Sequence, residues 1–405
     1  MKPIDNPYTP NAGAKPPVLA GREEQMDNFE VLLARSLKKR PAQSMIITGL
    51  RGVGKTALLN EFRERAERSE WITIELEASK HDESLFRRQI ALGVRSALYE
   101  MQPRKKWNDR LEKAARALGS FSLTFDPQGA MVAGIGINDY TGIADSQILS
   151  HDLTELFVNV GEAARAHQRG VVLLIDEIQF LERSQLEALI MAIHKTVQRA
   201  LPIALVGAGL PQIAELAGDA KSYSERLFKF PEISSLTAES ARDAFAKPAQ
   251  EEGVEWSEEA LDRAIEITEG YPYFIQELGS AVWLTAQESP ICVQNVDDAV
   301  PLFESGLDES FFRVRLDRAT RLQAAYLRAM AQLGPGPQKA NAVADVMGRS
   351  SKSLGPTRSE LINMGLLFTP RHGFAEFTVP HFHSFMLREM PDLIVPERRK
   401  RNNTD

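Results

Sequence analysis

The sequence predicts an α/β fold: a parallel sheet covered by helices on both faces, then a run of helices, then a small unit of helices and short strands. Two observations carry this. Between residues 44 and 206, short apolar runs alternate with longer segments of helical spacing, the pattern of a parallel sheet buried on both faces. After about residue 236 the strands stop, and helical spacing continues to residue 303.

Residues 1–17 are rich in Pro, Asn and Gly and read as an extended arm. From 21 to 39, Met26, Phe29, Leu32, Leu33 and Leu37 recur at helical spacing, and Pro41 closes the segment. The core continues as strand 44–48, a Gly-rich turn, helix 55–67, strand 71–76 and helix 84–101. Residues 103–150 break the rhythm. A basic helical stretch leads into two alternating runs, 121–125 and 130–137, around Asp126-Pro127-Gln128-Gly129, which predicts an insertion carrying a β-hairpin. Helix 152–167, strand 171–175, helix 185–198 and strand 202–206 complete a core spanning 18–235. Helices at 238–252, 257–268, 272–286 and 294–303 make a helical lid, 236–316. In the last unit, 317–396, a helix from 317 to 333 precedes Gly334-Pro335-Gly336-Pro337. Short helices follow near 342–347 and 356–364, then strands 366–369 and 374–379. That order reads as a winged helix-turn-helix, with a charged tail at 397–405.

Length and composition agree with several soluble domains. The chain has 405 residues, too many for one ordinary core, and a quarter of them are charged. Its single cysteine, Cys292, excludes a disulfide framework and a cysteine-ligated zinc site, and a cytoplasmic location is expected. No apolar run suits a secretory signal or a membrane span. Net charge is −7, yet residues 318–405 carry 13 Lys and Arg against 7 Asp and Glu. Non-specific coating of nucleic acid is therefore not expected, whereas a local basic face is.

The chemistry concentrates in two motifs. Gly49-Leu50-Arg51-Gly52-Val53-Gly54-Lys55-Thr56 has Walker A spacing and stands between a strand and a helix, where a phosphate loop must stand. Its glycines let successive N–H groups, from Gly49 through Val53 to Ala57, turn toward phosphate at a helix N-terminus. Lys55 is expected at the β- and γ-phosphates of ATP, and the Thr56 hydroxyl on Mg²⁺. Val171-Val172-Leu173-Leu174-Ile175-Asp176-Glu177 is the matching Walker B run. It puts Asp176 at the metal and Glu177 beside the attacking water, at the C-terminal end of a buried strand.

These motifs resemble the AAA+ and STAND branch of P-loop ATPases, particularly bacterial and archaeal ATPases related to origin-recognition proteins. The resemblance extends from Val18 to Pro391 and implies a P-loop NTPase core with a helical lid and a C-terminal winged helix. Val18-Leu19-Ala20-Gly21-Arg22-Glu23-Glu24 resembles the box that lies against adenine, which implies a base-side role for Arg22; a plain helix N-terminus is the other reading. Residues 203–209 resemble the strand that bears a polar sensor, but its end offers only Gly207, Ala208 and Gly209. Arg226 stands where the family places an arginine finger acting on a neighbouring subunit's ATP; the alternative is a surface arginine paired with Glu225 or Glu232. Gly270-Tyr271-Pro272 resembles the lid element that brings Pro272 to adenine, and Pro272 equally suits the first turn of a helix. No arginine lies between Gly270 and Ser289 to act from that part of the lid.

The resemblance also implies a nucleotide-dependent switch that hydrolyses ATP to ADP, in a homo-oligomer with nucleotide at the subunit interface. Double-stranded DNA is the expected target. A recognition helix starting near Pro356 would expose Thr357, Arg358, Glu360 and Asn363, with Lys352 ahead of it and Arg371 and His372 at the wing tip. Lys352, Arg358 and Arg371 form the expected DNA face. The rival is a signalling switch whose C-terminal unit and insertion bind protein partners, with no DNA role. A GTPase fits poorly, because the chain has no Asn-Lys-x-Asp run.

Overall fold

The computed structural model describes residues 1–11, 13–79, 82–103, 106–126 and 143–397. Helix α1 (Glu23–Leu37) leads into strand β1 (Ser44–Thr48), and α2 (Lys55–Arg68) follows. Next come β2 (Ile72–Glu77), α3 (Glu83–Met101), α4 (Asp109–Leu123), α5 (Leu149–Ala166) and β3 (Val171–Asp176). Helix α6 (Arg183–Gln198), β4 (Ile203–Gly209), α7 (Ile213–Ala220), α8 (Ser224–Leu227) and β5 (Phe228–Lys229) close the core. The five strands are parallel in the order β2-β3-β4-β1-β5.

Every residue of β1 and β4 is buried, as both faces are covered. Alternate residues feed two separate cores. Met45 and Ile47 pack with α1, α2 and the lid, while Ile46 packs with the layer of α3 to α7. Pairing of Thr48 with Gly209, and of Glu77 with Asp176, brings the C-terminal ends of the strands to one edge. That edge carries the two motifs.

The hairpin expected in the insertion fails at its first arm. Residues 121–123 close α4, whose start is capped by the Asn108 side chain accepting from the Arg110 and Leu111 N–H groups. Leu111, Ala114, Ala115, Leu118 and Phe121 are all fully buried at helical spacing. Their packing against α3 and α5 overrides the local alternation of 121–125. The second arm, 130–137, lies outside the described residues.

The lid comprises α9 (Ala238–Glu251), α10 (Glu258–Thr268), α11 (Pro272–Thr285) and α12 (Val293–Gly306), then a wide π-type turn at Leu307–Phe312 and α13 (Arg313–Leu316). The last unit runs α14 (Arg321–Leu333), β6 (Gln338–Lys339), α15 (Ala340–Val346), α16 (Ser351–Asn363), β7 (Leu367–Phe368), β8 (Phe374–Phe377) and α17 (Phe382–Glu389). Its strands form a three-stranded antiparallel sheet, β6-β8-β7. Two helix starts differ from expectation by four residues or more. Helix α14 begins at 321 rather than 317, because Thr320 caps it in a reciprocal pair with Gln323. Helix α16 begins at 351 rather than 356, since Ser350 caps it and Pro356 is carried inside. No helix among the described residues is long and apolar enough to cross a membrane.

One buried ion pair ties the insertion to the core. Arg87 on α3 donates through Nη1 to Asp152 Oδ2 at 3.0 Å, while Asp152 Oδ1 accepts from the Ser146 N–H at 2.9 Å and hydroxyl at 2.7 Å. The same guanidinium reaches Thr124 just past α4 and lies over the Phe121 ring. Removing one partner strands a buried charge. Asp152→Ala should therefore cost about 3 kcal/mol in denaturant unfolding and speed hydrogen exchange first in α3 and α5. A loss under about 0.5 kcal/mol, the scale of an exposed pair, would contradict this view.

Candidate functional site

A cleft of about 600 Å³ opens at the strand ends between core, lid and N-terminal arm. Gly52, Val53, Gly54, Lys55, Thr56 and Ala57 form its floor, and Asp176 and Glu177 one wall. The loop leaves β1 at Gly49, whose N–H donates to Gly209 O of β4 at 3.2 Å. Gly52 and Gly54 take positive φ of 84° and 93°, so the chain can curl before α2 begins at Lys55.

Lys55 is buried and donates to the loop's own Gly49 and Leu50 carbonyls at 2.9 and 2.7 Å. Burial pulls its ammonium down to about 8, while Glu177 and Asp176 oppose the shift. The Thr56 hydroxyl donates to Asp176 Oδ2 at 2.6 Å, so the two motifs meet directly. Glu177 follows with a left-handed backbone (φ 50°), and its N–H donates to Asp176 Oδ1 at 2.8 Å. A hydroxyl and a carboxylate oxygen beside an exposed space suit a hard cation such as Mg²⁺.

The remaining predicted residues divide. Arg22 is buried and lines the cleft, but its donors go to Ser234 O at 2.7 Å and to Val53 O at 3.2 Å. It braces the phosphate loop from behind. Pro272 opens α11 and also lines the cleft, so both sequence readings of it are compatible with its place. Its neighbours fasten the lid to the loop: the Tyr271 hydroxyl donates to Arg51 O, and the Tyr273 N–H to Gly52 O at 3.1 Å. Arg226 is exposed at the end of α8, outside the cleft, and makes no ion pair with Glu225 or Glu232 among the described residues.

The expected DNA face is only partly free. Lys352 and Arg371 are exposed, the latter lying over the Phe374 ring at 3.9 Å. Arg358 instead donates to Phe374 O at 2.6 Å and ties α16 to β8. Thr357, expected on the outer face, is buried because α16 turns that side inward.

Three features of the cleft and its immediate surroundings escaped the sequence reading. Arg315 of α13 lines it half-buried, its guanidinium pulled down to about 10 by burial and then by Arg51. The arm supplies Thr9, Asn11 and Gly13 to the rim, anchored by Tyr8, whose hydroxyl donates to Phe245 O at 2.6 Å. Gln179, two residues past Glu177, accepts from the Leu210 N–H at 3.0 Å. Arg315 belongs to no motif and is brought in by the chain's path alone. The arm and Gln179 lie beside motifs but match none.

Residues 18–206 match the family model described as an AAA ATPase domain, and residues 309–386 match one described as a domain of unknown function. No curated protein matches the sequence. Among solved structures the chain is similar to the Walker-type ATPase PABY2304 of Pyrococcus abyssi, at 14% identity and a TM-score of 0.54, covering 91% of this chain and 96% of that one. It is also similar to the ORC2 protein of Aeropyrum pernix in its ADPNP and ADP complexes, at 15% identity and a TM-score of 0.52, covering 95% and 98%. These likenesses show the fold: a P-loop NTPase core followed by a C-terminal helical region.

The Lys55 environment gives a pH test. Phosphate beside the ammonium raises its bound pKa above the free value of about 8, so binding at higher pH must take up a proton. ATP affinity should be flat below that pH and fall by up to about tenfold per unit above it. Titration with a fluorescent ATP analogue from pH 7 to pH 9.5 reads this out. Lys55→Arg, which stays charged, should lose the dependence; an unchanged slope there places the titrating group elsewhere.

Proposed function

We propose that this chain is a Mg²⁺-dependent ATPase acting as a nucleotide switch, with ATP held between core, lid and arm. The observation that carries it is the meeting of Lys55, the Thr56–Asp176 pair and Glu177 in one cleft. Lys55 exchanges its two loop carbonyls for the β- and γ-phosphates, and the N–H groups of the loop face the same oxygens. Thr56 and Asp176 would hold Mg²⁺, which when bound neutralises charge on the phosphates. Glu177 orients and polarises the attacking water. Arg315 adds a cation from the lid side, Pro272 lies on the base side of the cleft, and Arg22 braces the loop from behind. ATP favours one setting of lid against core and ADP another, because Tyr271 and Tyr273 bind the loop that the phosphates fill.

Two finer readings belong to this proposal. Arg226 acts in trans on the ATP of a neighbouring copy in a homo-oligomer, supported by its exposure and by its having no carboxylate partner among the described residues. The C-terminal unit is a winged helix, supported by its order of helices and its antiparallel sheet, and it contacts double-stranded DNA through Lys352 and Arg371. Arg358 serves there as a brace. A switch that binds protein partners through the same unit is the competing reading.

Glu177→Gln should bind ATP normally and stall hydrolysis, whereas Lys55→Ala should lose most affinity. Arg226→Ala should bind ATP yet turn over at least about a hundredfold more slowly. Mixing it with Glu177→Gln should restore part of the rate, since an Arg226→Ala site keeps its own Glu177 and borrows an intact Arg226. Demonstrated mixed assembly without rescue would remove the trans role.

For the target, ATPase rate is measured with and without duplex DNA across a salt series. Stimulation that fades with salt, and that Lys352→Ala with Arg371→Ala abolishes, is expected. Indifference to DNA at about 50 mM salt would hand the C-terminal unit to the protein-binding reading.

A further inference from the structure

We infer that Gln179 is the positioning residue for the Glu177 carboxylate, and that it supplies the polar group missing from the end of β4. This rests on the reading of Glu177 given above. Strand β4 ends Gly207-Ala208-Gly209 and offers the reaction centre no polar side chain. The short helical turn Ile178–Phe180 after β3 swings Gln179 back across that end. Ile178 anchors the turn in the core, packed so closely on Gly207 that a β-carbon there would stand 2.7 Å from Cδ1.

The Gln179 amide is oriented by its surroundings. Its Oε1 accepts from the Leu210 N–H at 3.0 Å, a group that can only donate. The NH₂ end must therefore face the other way, and it donates to Glu177 Oε2. Gly209 is part of the arrangement, because a β-carbon there would stand 2.5 Å from Gln179 Oε1. The absence of a side chain at 209 is thus the room that Gln179 occupies.

A neutral amide suits this task. It fixes one carboxylate oxygen by a charge-assisted bond while leaving the other free to accept from water. Lysine or arginine in its place would neutralise the carboxylate, and a shorter side chain would not span from Leu210 to Glu177. Glu177 leaves β3 with a left-handed backbone, and its carboxylate accepts from the Gln179 amide.

The test uses Gln179→Met, which keeps length and packing on Gly209 but has no amide, together with Gln179→Glu, which puts a repelling carboxylate there. The full-length chain is measured with Mg²⁺ and ATP. Both variants should bind a fluorescent ATP analogue within about twofold of the parent, and kcat should fall roughly 10- to 100-fold with KM little changed. In Glu177→Gln, adding Gln179→Met should cost nothing further, since the two act as a unit. A kcat within twofold of the parent overturns the inference, as does a kcat that rises, or a loss matched by an equal loss of ATP affinity. Normal turnover by Glu177→Gln would instead sink the Glu177 reading, and this inference with it. A stalled Glu177→Gln beside a normal Gln179→Met sinks this inference alone.

Discussion

A phosphate loop must turn its N–H groups inward, and so its carbonyls point outward, where each needs a donor. In this protein that demand is met one by one. Lys55 takes the Gly49 and Leu50 carbonyls, the Tyr271 hydroxyl takes Arg51, the Tyr273 N–H takes Gly52 and Arg22 takes Val53. The Gly54 carbonyl starts α2 through the Leu58 N–H. Only the Lys55 bonds come from the group that phosphate competes for. The others come from the lid, from the segment before α1 and from α2 itself.

That accounting explains why the domains pack as they do. Tyr271 and Tyr273 flank Pro272 at the start of α11, so the lid is fastened to the loop by hydrogen bonds to the loop's carbonyls rather than by surface charge. Arg51 extends the connection further, lying so near Gly365 that a β-carbon there would stand 2.6 Å from its guanidinium. His381 stacks edgewise on Phe274 from the same C-terminal unit. The loop and the C-terminal unit are thus in direct contact through Arg51 and, by way of the lid, through Phe274 and His381.

The sequence displayed the core because sheet and loop are local. Five apolar residues before Asp176, and a Gly-rich turn between strand and helix, specify both position and chemistry without tertiary help. The boundaries of α14 and α16 were less legible, since Thr320 and Ser350 look like loop residues until their caps are seen. Residues 121–125 misled for a stronger reason. Their alternation is a two-fold pattern too short to outweigh a helix that is buried along its whole inner face. The site was legible where one motif supplied it and illegible where the chain's path did, as with Arg315, Tyr8 and Gln179.

Arg315 shows what such a path contributes. Its Nε and that of Arg51 are both buried without a hydrogen-bond partner among the described residues, and the Arg51 charge disfavours the Arg315 guanidinium. With Lys55 and Arg22 the cleft lining holds four cations, against the three carboxylates of Asp176, Glu177 and Glu277. Like charges held together at partial burial are unfavourable until an anion enters between them. These cations sit on α2, the loop, α13 and the segment before α1, so under the function proposed above a bound polyphosphate would offset their repulsion together. Because α13 leads directly into the C-terminal unit, that offset would act on the segment that joins the unit to the cleft.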